Sequence, residues 1–128
     1  MSGRNNKTVL EACVEVMSLK RFNCVQAVDK FYEEFYGFSI LKPLGLHRTR
    51  KLKEYAKENG GFEKAMGKTL INLGFKSGLF TEGSIACWNE TCFIYVGNNY
   101  YAQRSNMAGC VITKINPNDV SIWSCQKQ

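Results

Sequence analysis

The sequence predicts an α+β domain in which every helix precedes every strand. Three observations carry this reading. Apolar residues recur at helical spacing as far as residue 74, the apolar period drops to two from residue 75 onward, and glycine or asparagine clusters punctuate both halves. The chain has 128 residues, 45% of them hydrophobic and 22% charged. A chain of this length buries roughly two-thirds of the surface exposed by its unfolded form, so a core forms without metal or disulfides. Disorder, collagen and coiled coil are excluded. With no internal repeat and no linker, residues 1–128 read as one domain, helical over 7–74 and an antiparallel meander of about five strands over 84–124.

The first helix is expected near residues 7–18, where Val9, Leu10, Cys13, Val14, Val16 and Met17 follow a polar start. The second is expected over 23–36, with an apolar face of Cys24, Val25, Ala27, Val28, Phe31, Tyr32 and Phe35, ending at Gly37. A loop through Pro43 and Gly45 leads to a third helix near 47–58 that stops at Asn59-Gly60-Gly61. The fourth, 62–73, presents Phe62, Ala65, Met66, Leu70 and Leu73 before Gly74. Strands are expected at 84–88, 92–97, 100–103, 109–113 and 120–123, with Asn98-Asn99 as a turn.

The formal charge is +6, and its excess concentrates in Arg48, Arg50, Lys51, Lys53 and Lys57 of the third helix. These residues suit contact with a polyanion or a solvated face. Nucleic acid is not favoured as a partner, because no recognised binding module accompanies the charge. The N-terminus lacks an apolar stretch after its positive charges and no window reaches the length of a spanning helix, so no signal peptide or membrane span is expected and synthesis in a cytosol is. There, thiols stay reduced, so the six cysteines are expected free. No CxxC pair occurs, which argues against zinc and thioredoxin-type chemistry, and the single histidine, His47, excludes any site that needs two. No metal or cofactor is expected.

Cys24 is the candidate reactive residue. It opens the second helix directly after Phe22-Asn23, where the helix dipole and open N–H groups favour thiolate over thiol. The same residue also fits a small apolar core position. Cys87 and Cys92 flank a four-residue hairpin loop and can face each other; oxidation would require an extracellular setting. Trp88, Tyr95, Tyr100 and Tyr101 are hard to bury together on one small meander, and form a candidate protein interface.

Several motifs together resemble the NlpC-like branch of papain-like cysteine peptidases, especially short divergent members that bacteriophages encode among tail genes. They are Phe22-Asn23-Cys24-Val25 with Val28-Asp29, the run from Arg48-Thr49-Arg50 to Gly60-Gly61, Gly83-Ser84-Ile85-Ala86, and Thr91-Cys92-Phe93-Ile94-Tyr95-Val96-Gly97-Asn98. The resemblance covers roughly residues 20–125. It implies a papain-like fold, Cys24 as nucleophile, a general base from the second strand, and peptidoglycan peptide amides as substrate.

The chain departs from that pattern at its polar positions. Aligned on Ile94-Tyr95-x-Gly97-Asn98, the expected base position is occupied by Thr91, which takes no proton near neutral pH. Ser84 stands where the family has aspartate, and Asn23 precedes the cysteine. General-base assistance contributes ~10²–10⁴-fold to such reactions. The expectation is therefore a degenerate enzyme: a non-enzymatic virion or tail-assembly component of a tailed phage, contacting other phage structural proteins, in the host cytoplasm at synthesis and in the virion thereafter. The alternatives are an active cysteine amidase on peptidoglycan with Cys24 as nucleophile, and a phage protein that binds and inhibits a host factor.

Overall fold

A computed structural model describes residues 7–19, 22–105 and 109–125, without the side chain of Thr49. Four helices come first: α1 (Val9–Met17), α2 (Cys24–Phe35), α3 (Thr49–Glu58) and α4 (Phe62–Asn72). Six strands follow: β1 (Lys76–Ser77), β2 (Ile85–Trp88), β3 (Thr91–Gly97), β4 (Tyr100–Ser105), β5 (Gly109–Lys114) and β6 (Ser121–Ser124). The chain is α+β, as its periodicities predict.

Capping boxes fix where the first two helices begin. Thr8 Oγ1 accepts from the Glu11 N–H at 3.1 Å, and the Glu11 carboxylate accepts from the Thr8 N–H at 2.9 Å. Asn23 and Gln26 repeat the arrangement one helix on, at 2.8 and 3.1 Å. Each cap satisfies N–H groups that a helix start leaves open, and Asn23 thereby sets Cys24 as the first residue of α2.

The strands pair antiparallel in the order β1-β6-β2-β3-β4-β5. Strands β2 to β5 are the expected meander, but the sheet differs from it in two ways. The last strand, β6, returns to the outer side of β2, and the two-residue β1 pairs beyond it. The connection into β6 carries Ile115 across the sheet, where it joins Ala86, Phe93, Tyr95, Tyr101 and Ile122 in a small apolar cluster. That cluster covers the face of the sheet turned away from the helices. The expected four-residue loop before β3 is a two-residue turn, Asn89-Glu90, with Trp88 paired to Thr91 and positive φ at both turn residues.

The main core lies between helices and sheet. Helix α2 is its centre and buries Val25, Ala27, Val28, Phe31 and Tyr32 against β3 and β4, while α1 packs across β3, β4 and β5. Helix α4 covers the β1–β6 side, and α3 packs on α4. One close approach joins α2 to the loop before β2. The Tyr32 hydroxyl donates to the Gly83 carbonyl, and a Cβ on Gly83 would overlap the Tyr36 hydroxyl. Gly83 also has φ +95°, so two independent constraints select glycine there.

Candidate functional site

Cys24 is half-buried in the first turn of α2 and lines a cleft of about 510 Å³. Leu41, Leu46, Leu52, Phe62 and Met66 make its apolar walls, so α2, the loop after it, α3 and α4 all contribute. Asn23, Lys53, Tyr55 and Glu90 add polar groups, Glu90 reaching in from the β2–β3 turn.

One wall depends on a buried carboxylate. Asp29, in the second turn of α2, accepts from the Ile40 N–H at 2.6 Å, the Leu41 N–H at 3.3 Å and the Ser39 hydroxyl at 3.0 and 3.1 Å. Burial raises its pKa, and these hydrogen bonds work in the opposite direction by favouring the charged form. Asp29 thus pins the backbone that presents Leu41 to the cleft. On the other side of the cap, Arg104 Nε of β4 donates to the Phe22 carbonyl at 3.2 Å, fixing the segment that leads into Asn23 and Cys24.

The group beside the Cys24 sulfur is Cys92 of β3. Its thiol and its N–H, the latter left out of the β3–β4 ladder that begins at Ile94 opposite Ala102, both favour the Cys24 thiolate. The N–H groups of Val25 and Cys24 complete the set. The Cys92 hydrogen bond is the largest influence; it and the three N–H groups outweigh burial, and the Cys24 pKa falls to about 6. Cys92 moves the opposite way, pushed well above the ordinary thiol by burial first and then by its bond to Cys24. The thiol that gives its proton to the bond holds it more tightly, and the sulfur that accepts becomes the thiolate.

A third thiol stands next to this pair. Cys87 of β2 is directly opposite Cys92, buried, and raised above the ordinary thiol chiefly by that burial. All six cysteines are free thiols, and among the described residues no group of three or more cysteine, histidine or acidic side chains is placed to hold a metal ion.

Thr91, expected at the base position, lies one residue away from the true neighbour. Successive strand residues point to opposite faces. Cys92 and Ile94 join the core beneath the helices, whereas Thr91 has the parity of Phe93 and Tyr95 in the far-face cluster, and its hydroxyl donates to the Trp88 carbonyl at 2.8 Å. His47 is exposed, its carbonyl accepting from Gln26 Nε2 at 3.0 Å, and it borders a separate hollow of about 240 Å³ on the Phe22 and Asp29 side. No imidazole therefore acts on Cys24. Ser84, at the family's aspartate position, is a buried turn residue whose hydroxyl donates to the Leu79 carbonyl at 3.1 Å.

The four aromatics expected at one interface are divided. Tyr95 and Tyr101 are buried at 8% and 0% exposure, while Trp88 and Tyr100 are 39% and 42% exposed. The exposed pair adjoin opposite ends of β3, whose seven residues span roughly 20 Å at about 3.3 Å each. They do not form one patch. Of the basic residues, Arg48, Arg50, Lys51 and Lys53 are exposed, Arg50 lies 4.0 Å from Glu54, and Lys53 alone borders the cleft. Among the described residues, no helix is long and apolar enough to cross a membrane. Comparison of the chain with known protein families, with curated proteins and with solved structures finds no match.

Proposed function

We propose that the chain is a non-enzymatic interaction protein, a small virion or tail-assembly component of a tailed bacteriophage, built on a degenerate NlpC-like cysteine-peptidase fold. One observation carries the loss of catalysis: the strand residue that faces Cys24 is a thiol, Cys92, and not an imidazole. Amide hydrolysis needs a group that delivers a proton to the leaving amine, and a thiol pushed well above its ordinary pKa holds its proton instead. The cleft then serves as a binding groove, with apolar walls and Lys53 and Glu90 among its polar groups, for a segment of another structural protein. The phage and tail assignment rests on the resemblance of the motifs around Cys24, Gly83 and Ile94.

A second reading has one observation in its favour. A thiol with a pKa of about 6 is ionised at neutral pH without any base, so Cys24 can attack an acyl group unaided. In that reading the chain is a cysteine amidase acting on peptidoglycan peptides. Two measurements separate the proposals. Purified virions should contain the polypeptide, and the purified chain should release no peptide from peptidoglycan. Release that disappears in Cys24→Ala would replace the first reading with the second, and absence from virions would transfer support to a host-directed binding role.

A further inference from the structure

We propose that the chain forms a dimer in which the β5 edges of two copies pair antiparallel about a two-fold axis at Ile112, joining two sheets into one. Strand β5 ends the strand order and has β4 on one side only. At the opposite edge the sheet closes with β1, two residues long, whereas β5 offers six residues, Gly109–Lys114. A strand edge of that length is a template for another strand.

The ladder with β4 decides which backbone groups face outward. The Ile115 N–H donates to the Asn99 carbonyl at 3.1 Å, in the register that sets Tyr101 opposite Thr113 and Gln103 opposite Val111. Hydrogen-bonded and non-bonded pairs alternate along an antiparallel ladder. Gly109, Val111 and Thr113 therefore turn their N–H and C=O groups toward β4, while Cys110, Ile112 and Lys114 turn theirs away. Among the described residues, no hydrogen bond reaches those outward groups.

The spacing of the outward residues selects a second copy as the partner. Three residues spaced by two are symmetric about the middle one, so an antiparallel copy sets Ile112 against its own counterpart and Cys110 against Lys114. Each such pair exchanges two hydrogen bonds, and the same patch serves both copies. A slip of two residues either way leaves one outward residue of each β5 without a match in the other.

Side chains and charge agree with this axis. Ile112 stands opposite Ala102, which faces the helices, and it is 42% exposed although apolar. Its counterpart would cover it. Lys114 is the one charged residue of β5, and the axis places it opposite Cys110 instead of another lysine; its ammonium lies 5.7 Å from the centre of its own Tyr100 ring. The axis is perpendicular to the joined sheet, so both helical layers lie on one face, and α1, which packs on β5 and leaves Leu10 and Val14 exposed, approaches its counterpart. The basic residues of α3 stay apart. Helix α3 packs on α4 at the β1–β6 side of the sheet, the side remote from the axis.

The test is sedimentation velocity of the full, reduced chain over a concentration series at physiological ionic strength. Expected is a species of twice the chain mass that dissociates on dilution. Ile112→Lys faces two ammonium groups across the axis, and Ile112→Pro removes an outward N–H without a bond to β4; both should sediment as monomers with the wild-type circular dichroism spectrum. Register is read separately. Hydrogen-bonded pairs have Cα atoms about 5.5 Å apart, within reach of a disulfide, so oxidised glutathione should bridge Ile112→Cys to position 112 of the other copy. A wild-type monomer at every concentration, a dimer that Ile112→Lys leaves intact, or bridges from position 112 to other positions only would each overturn the proposal. The wild-type result decides the matter even if a variant fails to fold. It is also independent of location, since the dimer stands or falls whether or not virions contain the chain.

Discussion

Cys92 of β3 acts on Cys24 at the start of α2 through its thiol and N–H, and the two thiols shift in opposite directions, Cys24 down to about 6 and Cys92, through burial first, well up. The relationship decides what the cleft does. A thiolate is available at neutral pH, and the atom next to it is a reluctant acid.

Peptidoglycan should therefore survive the protein. Incubating purified sacculi with the wild-type chain and following soluble peptide or free amine should give the same trace as buffer. Replacing Cys92 by His puts an imidazole on the face of β3 that meets Cys24, whereas Thr91→His puts it on the other face. Any hydrolysis gained by substitution should thus appear in Cys92→His and not in Thr91→His.

Asp29 should matter to the cleft without touching its chemistry. Asp29→Ala leaves the Ile40 and Leu41 N–H groups and the Ser39 hydroxyl without their acceptor, and an unmet buried hydrogen bond costs about 1–3 kcal/mol. Urea denaturation should show a loss of at least that size, and Leu41 should become more open to amide exchange. An unchanged midpoint would mean that the loop holds itself.

Gly83→Ala should destabilise through two causes that can be separated. Its φ of +95° costs of order 1–3 kcal/mol for a residue with a Cβ, and the overlap with the Tyr36 hydroxyl adds to this. Removing the hydroxyl in Tyr36→Phe should recover part of the overlap and none of the backbone cost. In a double-mutant cycle the Gly83→Ala penalty should be smaller in the Tyr36→Phe background. Equal penalties would remove the steric cause.

Much of the helical half was legible in the residues. Thr8 with Glu11 and Asn23 with Gln26 mark the first two helix starts, and Gly60-Gly61 separates α3 from α4, because caps and glycines act locally. The position of Cys24 followed from the same local chemistry. The strand order did not, since β6 joins β2 through contacts that no local pattern encodes, and β1 is too short to show a period. The Asn89-Glu90 turn was hidden because glutamate is not a usual left-handed residue. Thr91 and Cys92 are one residue apart, and on a strand one residue changes the face. The parity of Cys92 with Ile94, set against that of Phe93 with Tyr95, was the available signal. The same alternation divides Tyr101 from Tyr100.

The account stands most directly on the ionisation of Cys24. The rate of its alkylation by iodoacetamide, measured residue by residue from acid to alkaline pH, follows the thiolate fraction. The charged and titratable groups around it are Cys92 and Cys87 on the strands, Glu90 at the turn, Lys53 and Tyr55 on α3, and Glu63 of α4 acting on Cys87. Lowering the pKa favours the thiolate, so the rate should climb through about pH 6 and be level by neutrality. In Cys92→Ala, which removes the donating thiol but keeps its N–H, the midpoint should move upward toward the free-thiol value of about 8.5. A wild-type midpoint already near 8.5, or one that Cys92→Ala leaves in place, would contradict the account.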